Sequence, residues 1–595
     1  MRRLAVICAA VALLLALPAA AGAHAVVVGT VPERGGSVER SPERVVFRFN
    51  EPVESAFGAL RVFDAKGERV DMGATERPGG DGEAVAVRLR ADLPDGSYTA
   101  TYRVVSADSH PISGGFVFTV GEGGAAPAAS VSDLIDSGES GTVTSVALGV
   151  AKGVSYAAIA VAVGGVLFLL AVWLPALREV TGAGDPWRLA SESFSSRLRR
   201  IGSVTVGAGG LAALLGLILQ GASARGTSFW DALDAGVIGD VLGTRAGTAW
   251  GLRLLDWVLL GGLLAALSAR RALPALRPAS LGAVGQALPG TAGVAVLAPL
   301  VVLLGFLVLS PALAGHAGVT DPTLVLFPAN VVHVLAMSIW IGGLVLILLA
   351  LPAATRRLDP PDRTRLLSAS LWRFSPLALY SVAALLATGV LQSIFHLTAI
   401  SDLWDTAFGR AILVKACLLV FLIGLGALNR RRSLPRLRRL GTDGGSLGGE
   451  GRVLRRTLRT EVGLLAVVLG VTAALTSYPP PDSLAAGPFS ATTQLGAARM
   501  ELIVDPAQVG SNEIHIYLTS ARTGAQFDRF RELDVSMILR AKEIGPLEPR
   551  VDKAGPGHWV ARRAQFAPAG DWRLAVSTVV SKFDERRAVV EVPVE

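Results

Sequence analysis

The chain has 595 residues, of which 51% are hydrophobic and only 17% charged. Length allows several domains, but runs this apolar exclude an ordinary soluble protein, because they need a bilayer to hold them. Lys and Arg outnumber Asp and Glu by 56 to 48, a net charge of +8; the Arg residues lie between apolar runs, which fits membrane topology signalling and not nucleic-acid binding.

The two cysteines, Cys8 and Cys417, fall in the first apolar stretch and in a later apolar run, so neither a disulfide nor a thiolate metal site is expected. Metal chemistry is left to seven His and five Met. Met1-Arg2-Arg3, the apolar stretch from Leu4 to Leu17 and the small residues Ala21-Gly22-Ala23 read as a secretory signal peptide over residues 1–23. Cleavage after Ala23 makes His24 the new amino terminus. An amino-terminal His offers its α-amino nitrogen and its ring Nδ1 to one metal, and an α-amine with a pKa of roughly 8 gives up its proton readily when a metal competes.

Residues 25 to 120 read as β structure. Val45-Val46-Phe47-Arg48-Phe49, Ala59-Leu60-Arg61-Val62-Phe63 and Ala84-Val85-Ala86-Val87-Arg88-Leu89 are apolar or alternating runs. Tyr98 to Val105 and Gly115 to Val120 follow the same pattern, with turn signals such as Asp64-Ala65-Lys66-Gly67 and Pro94-Asp95-Gly96 between runs. Short strands at this spacing in roughly 100 residues predict an Ig-like or Greek-key β-sandwich. Between the last two runs stands Ser106-Ala107-Asp108-Ser109-His110-Pro111. On an extended segment Asp108 and His110 point the same way. With His24 they supply three nitrogens and one carboxylate oxygen, a set that suits tetragonal Cu(II). A turn Asp and a surface His are the other reading of the pair.

His24-Ala25, Pro32, the run Phe47-Arg48-Phe49-Asn50-Glu51-Pro52-Val53, Ser106 to Pro111 and Gly114-Gly115-Phe116-Val117-Phe118 together resemble the CopC family of extracytoplasmic copper-binding proteins. The resemblance covers residues 24–121. It implies a Cu(II) site of the histidine-brace type carried by His24, Asp108 and His110. Some family members add a Met-rich Cu(I) site; Met72 is the one Met of this segment, so the resemblance implies the Cu(II)-only type.

Residues 122–145, rich in Gly, Ala and Ser, read as a flexible linker. About eight apolar segments near spanning length follow within 146–480, at approximately 149–174, 201–222, 247–268, 292–314, 326–352, 374–396, 408–428 and 460–478. The first, third, fifth and seventh connections carry clusters of Arg, richest at Arg430-Arg431-Arg432, whereas the others hold chiefly Arg225 and Arg245. By the positive-inside rule both terminal domains are extracytoplasmic and the chain sits, multi-pass, in a bacterial plasma membrane.

Three His fall in this region: His316 after the fourth segment, His333 about two turns into the fifth, and His396 at the end of the sixth. Ionisable residues inside a bilayer point to function by default. Met337, four residues after His333, shares its helix face, and imidazole with thioether suits Cu(I). Helix–helix hydrogen bonding for His333 and gap filling for Met337 are the other readings. Arg410 and Lys415 are expected to pair with Asp402 or Asp405.

Gly243-Thr244-Arg245-Ala246-Gly247-Thr248-Ala249-Trp250 with Arg253, His333-Val334-Leu335-Ala336 with Trp340-Ile341-Gly342-Gly343-Leu344, Phe374-Ser375-Pro376 with Thr388-Gly389-Val390, and Asn429-Arg430-Arg431 leading to Glu461 resemble the CopD family of copper-resistance or copper-uptake membrane proteins. That resemblance implies a copper-handling bundle, with His316 and His333 as its ligands.

Residues 481–595 return to strand patterning, as in Met500-Glu501-Leu502-Ile503-Val504 and Glu513-Ile514-His515-Ile516-Tyr517-Leu518. A second small β-sandwich is predicted, one that resembles YtkA-like domains. His515 and His558 are candidate metal ligands, with the alternative that each is an isolated structural or solvated His.

The expected function is Cu(II) capture and delivery to the membrane domain for transport, uptake or tolerance, with a copper ion and the lipid bilayer as partners and with any reductase or chaperone unidentified. Sequestration without transport uses the same residues. A membrane-bound copper or haem oxidoreductase is the alternative from another class. Neither a Walker A loop nor an aspartyl-phosphate motif is present.

Overall fold

The computed structural model describes residues 25–594 except 26, 34–36, 56–58, 107–110, 122–140, 181–184, 227, 270–290, 319–321, 398, 444, 446–447, 479–480, 482–488, 506, 508, 522–526, 556 and 582–583. The leader, His24, Asp108 and His110 lie outside the described residues. The described chain forms two compact units, one of residues 149–214 and 249–478, the other of 24–148, 215–248 and 479–595.

The first β domain has strands β1 (Val27–Val31), β2 (Ser37–Val38), β3 (Arg44–Phe49), β4 (Leu60–Phe63), β5 (Asp71–Glu76), β6 (Ala84–Leu89), β7 (Gly96–Val105) and β8 (Pro111–Val120). Two four-stranded sheets, ordered β1-β3-β6-β5 and β2-β8-β7-β4, form the expected sandwich. Period-two alternation builds its core: Val45, Phe47 and Phe49 point inward while Arg44 and Arg48 stay exposed. Phe47 meets Tyr102 and Phe116 edge-on at 5.1 and 5.2 Å, pairs that each add about 0.5–1.5 kcal/mol beyond their buried area.

Register fixes where the candidate copper loop leaves this sandwich. The β7–β8 ladder runs from Gly96↔Val120 to Val105↔Pro111. β1 starts against the end of β3, with Val27 opposite Phe49. Five residues beyond Phe49, Glu54 exchanges backbone hydrogen bonds of 2.8 and 3.0 Å with Val105. Ala25, buried in the core, and Ser106, also buried, therefore flank the same end of the sandwich.

Eight long helices follow: α1 (Thr142–Phe168), α2 (Asp185–Arg225), α3 (Arg245–Ala269), α4 (Thr291–Ala314), α5 (Thr323–Leu349), α6 (Pro360–His396), α7 (Ala407–Leu428) and α8 (Gly448–Leu475). Each expected apolar segment has its helix. Among the described residues, seven are long and apolar enough to cross a bilayer, and α4 contributes the shorter apolar stretch Ala298–Ala314. The first helix starts at Thr142, inside the segment 122–145 read from sequence as a linker.

Helices α2, α6 and α8 run well beyond their apolar cores, because polar, Arg-rich sequence continues the helix where it finds partners. Arg373 pairs with Glu179 at 2.6 Å, Arg436 with Glu450 at 2.9 Å, and the Arg438 guanidinium lies 4.3 Å over the Trp372 ring. These Arg residues hold helix ends together. At the centre of the unit, α1 and α5 cross at Gly164 and Gly342. A Cβ on Gly164 would stand 1.8 Å from the Ser338 carbonyl oxygen, and one on Gly342 would stand 2.5 Å from that of Ala160. Small residues allow the two backbones to touch, the packing mode of membrane helices.

The last domain has β9 (Phe489–Leu495), β10 (Ala498–Asp505), β11 (Gly510–Ser520), β12 (Asp534–Leu539), β13 (Ile544–Leu547), β14 (Val551–Gly555), β15 (His558–Phe566), β16 (Gly570–Ser581) and β17 (Asp584–Val594). Sheets ordered β14-β15-β11-β10-β9 and β13-β12-β16-β17 enclose Met500, Leu502, Ile514, Ile516, Val535, Met537, Trp572 and Leu574. This is the predicted second sandwich.

Candidate metal centre

The described residues next to the amino-terminal ligand set are held by charge as well as by register. The Glu54 carboxylate accepts from the backbone N–H of Arg245, the first residue of α3. Arg103 on β7 donates from Nε to the Ala224 carbonyl and from Nη2 to that of Ser223, both at 3.0 Å, in the last turn of α2. A carboxylate thus meets a helix amino end and a guanidinium meets a helix carboxyl end, the signs each helix dipole favours. Burial pushes the Glu54 carboxyl up, while the Arg245 N–H and the charges of Arg245 and Arg77 pull it back.

Glu54 joins this anchor to the candidate loop, since its backbone bridges Val105, the residue before Ser106. Glu54→Ala should cost about 1–2 kcal/mol of stability and speed hydrogen exchange at the Arg245 amide. An unchanged exchange rate there would show that the carboxylate does not hold the contact. No signal in the sequence marked Glu54 or Arg103, because each finds its partner more than a hundred residues away.

In the helical unit, His333 lies ten residues into α5, roughly 15 Å along it. Its Nδ1 is 2.8 Å from Thr388 Oγ1 on α6. The Thr388 hydroxyl gives its own proton to the Ala384 carbonyl at 2.7 Å, so it accepts from His333 Nδ1–H. This tautomer leaves the Nε2 lone pair available as a donor. Thr388 was visible in sequence only within a family-like stretch, and the helix pairing gives it its role.

The other membrane candidates differ in surroundings. Met337 packs against the apolar cluster that contains Trp340 and Ile341, as a gap filler does. The backbone of His316 is in a short 3-10 turn after α4, and its side chain lies outside the description. His396 is buried with its ring edge-on to Phe408 at 6.1 Å. Arg410 departs from expectation: it donates to the backbone carbonyls of Trp404 and Asp405 at 3.0 and 3.1 Å and so caps the short helix Asp402–Asp405. Free carbonyls at a helix end attract a guanidinium as a carboxylate would.

The alternative that His515 and His558 are each isolated is also corrected. Adjacent strands β11 and β15 bring His515 Nδ1 within 3.2 Å of His558 Nε2. Strand pairing across 43 positions cannot be read from local pattern.

Residues 27–121 match the CopC domain, 143–325 the copper resistance protein D-like N-terminal domain, and 368–475 copper resistance protein D. The copper transport protein CutJ of Bacillus subtilis (strain 168) is 31% identical over 579 residues, which cover 96% of each chain. Copper resistance protein C of Escherichia coli is 31% identical over 114 residues, 18% of this chain and 90% of its own. The solved CopC of Methylosinus trichosporium OB3b is 28% identical and overlaps 16% of this chain and 93% of its own, with a TM-score of 0.15. PcoC of Escherichia coli, a methionine-rich copper resistance protein, is 30% identical over 16% and 99%, also with a TM-score of 0.15.

Sandwich, helices and these matches define a multi-pass membrane protein that carries a CopC domain ahead of a CopD region. The chain belongs to the copper transport and resistance family of CutJ, whose members are named for transport and resistance and not for an enzymatic reaction.

Proposed function

We propose that this chain captures Cu(II) outside the cell through His24, Asp108 and His110 and delivers it to the membrane domain for uptake or tolerance. In this reading residues 1–23 are a cleaved leader, 24–121 and 481–595 are extracytoplasmic domains, and 146–480 span the membrane. His316 and His333 receive the ion, with Met337 beside His333 as a thioether for Cu(I). The tautomer that Thr388 imposes on His333 supports that role.

The observation that carries the reading is the register at one end of the first sandwich. Ala25, which follows His24, and Ser106, which precedes Asp108 and His110, flank the end where Glu54 bridges Val105. An amine, two imidazoles and a carboxylate gathered there form a tetragonal N/O set for Cu(II). Four protein donors leave no equatorial position for oxygen, which favours binding over oxidation.

Residues 24–121 have a closed core of their own, so the test can use that domain. Cu(II) affinity and electron paramagnetic resonance are measured with His24 as the free amino terminus and again with one Ala added before it. The added residue is expected to weaken binding by more than ~100-fold, beyond the usual cost of losing an outer-shell partner, and to remove the N-rich tetragonal spectrum. Equal binding by both forms would take the α-amine out of the site and sink the brace. Sequestration without transport predicts the same spectra but no change in cell copper when the membrane His residues are replaced.

A further inference from the structure

On β11, Ile514, Ile516 and Leu518 point into the core of the last sandwich. The alternating residues Glu513, His515 and Tyr517 therefore share its outer face. β15 sets His558 opposite Tyr517 and Val560 opposite His515, so His558 lies on that face too. An outer sheet face usually carries solvated side chains, yet His515 and His558 are only 7% and 5% exposed.

The arrangement around the two rings is directional. His515 Nε2 lies 3.4 Å from Glu513 Oε2, while its Nδ1 faces His558 Nε2 at 3.2 Å. Tyr517 stacks on His558 with centroids 4.3 Å apart. A carboxylate beside one nitrogen of a His draws the proton there and leaves a lone pair on the other, as with the carboxylate partners of metal-ligating His.

Moving one proton of His558 from Nε2 to Nδ1 replaces the hydrogen bond by two facing lone pairs. Two metal–nitrogen bonds of about 2.0–2.1 Å at a tetrahedral angle span about 3.3 Å between nitrogens, close to the 3.2 Å found here. Metal entry then needs a tautomer change and a turn of both rings that makes the two lone pairs converge off the N–N line.

We propose that His515 and His558 form a second copper site, in the carboxyl-terminal domain, with Glu513 as the positioning residue that keeps His515 in its ligating tautomer. Among the described residues there is no group of three or more His, Cys, Asp or Glu that could hold a metal ion, so the site proposed here has two protein ligands. That the ion is copper rests on the function proposed above; the geometry of the pair does not.

The test uses the full chain in detergent with Ala added before His24, which disables the amino-terminal set. Copper stoichiometry and competition affinity are compared with the same chain carrying His558→Gln or Glu513→Gln, with melting of the metal-free forms as a check on folding. The expected result is loss of one copper equivalent in His558→Gln and a ~10–100-fold weaker equivalent in Glu513→Gln, the usual cost of an outer-shell partner. Unchanged stoichiometry and affinity in both variants overturns the proposal. Should His558→Gln fail to fold, Glu513→Gln decides by itself: unchanged affinity overturns the site. Zinc binding in place of copper overturns the proposal as stated. If the added Ala leaves total copper unchanged while His558→Gln still removes one equivalent, the amino-terminal reading fails and this site stands.

Discussion

Replacing Gly342 by leucine is expected to leave almost no correctly packed chain in the membrane. The position faces Gly164 across the α1–α5 crossing, where an added Cβ would stand 2.5 Å from the Ala160 carbonyl oxygen and 2.7 Å from the Gly164 Cα. Both obstacles are backbone, so no side-chain rotation can relieve them. Overpacking a side-chain core costs about 1–3 kcal/mol, and two helices forced apart lose more than that, since van der Waals packing is a main term that holds them together in lipid. The same change at Gly262, where a Cβ meets nothing within 4 Å, is the control and should be tolerated. Size-exclusion profiles and melting of the detergent-solubilised variants read the difference. Equal behaviour of the two variants would mean that this crossing does not hold the bundle.

His333→Ala should abolish copper accumulation through the membrane domain while Cu(II) binding by the amino-terminal domain persists. Thr388 separates the metal role from a helix-packing role. Thr388→Val removes the acceptor for His333 Nδ1–H, frees the ring to turn, and should weaken copper handling by ~10–100-fold. Thr388→Ser keeps the hydroxyl and should restore it. A purely structural hydrogen bond between α5 and α6 predicts a lower melting temperature in Thr388→Val with accumulation in proportion to the protein that remains folded. Copper content per folded protein in cells that express each variant distinguishes these outcomes, and full accumulation by His333→Ala rules the residue out as a ligand.

The same crossing links these two results. Gly342 sits nine positions after His333 on α5, so the glycine contact sets how α5 lies against α1, while the next residue, Gly343, packs on Phe374 of α6. A helix displaced there would carry His333 away from Thr388, and an ordered ligand needs its supporting hydrogen bond in place. Gly342→Ala adds the same Cβ against the same backbone, so whatever fraction of it still packs should lose more copper handling than its stability loss alone predicts.

Much of the architecture could be read directly from the residues. Alternation in Arg44–Phe49 foretold a half-buried strand, and apolar runs foretold each helix to within a turn or two at its apolar end. The proposed amino-terminal ligand set rests on sequence alone, on a small-residue motif followed by His24 and a two-residue spacing of Asp108 and His110. Helix lengths were underestimated where α2, α6 and α8 continue into Arg-rich sequence, because hydropathy measures the bilayer and not the partners waiting beyond it. On α6 the Glu179–Arg373 and Trp372–Arg438 contacts lie on that continuation, and on α8 the Arg436–Glu450 pair does.

Sequence by itself determined the segments and their faces, since each follows from the solvent preference of neighbouring residues. Tertiary structure alone decided the pairings that give polar groups their roles. Glu54 with Arg245, His333 with Thr388 and His515 with His558 are 191, 55 and 43 positions apart. Each depends on strand register or helix crossing, and those are fixed by how whole faces pack and not by any residue's neighbours in the chain.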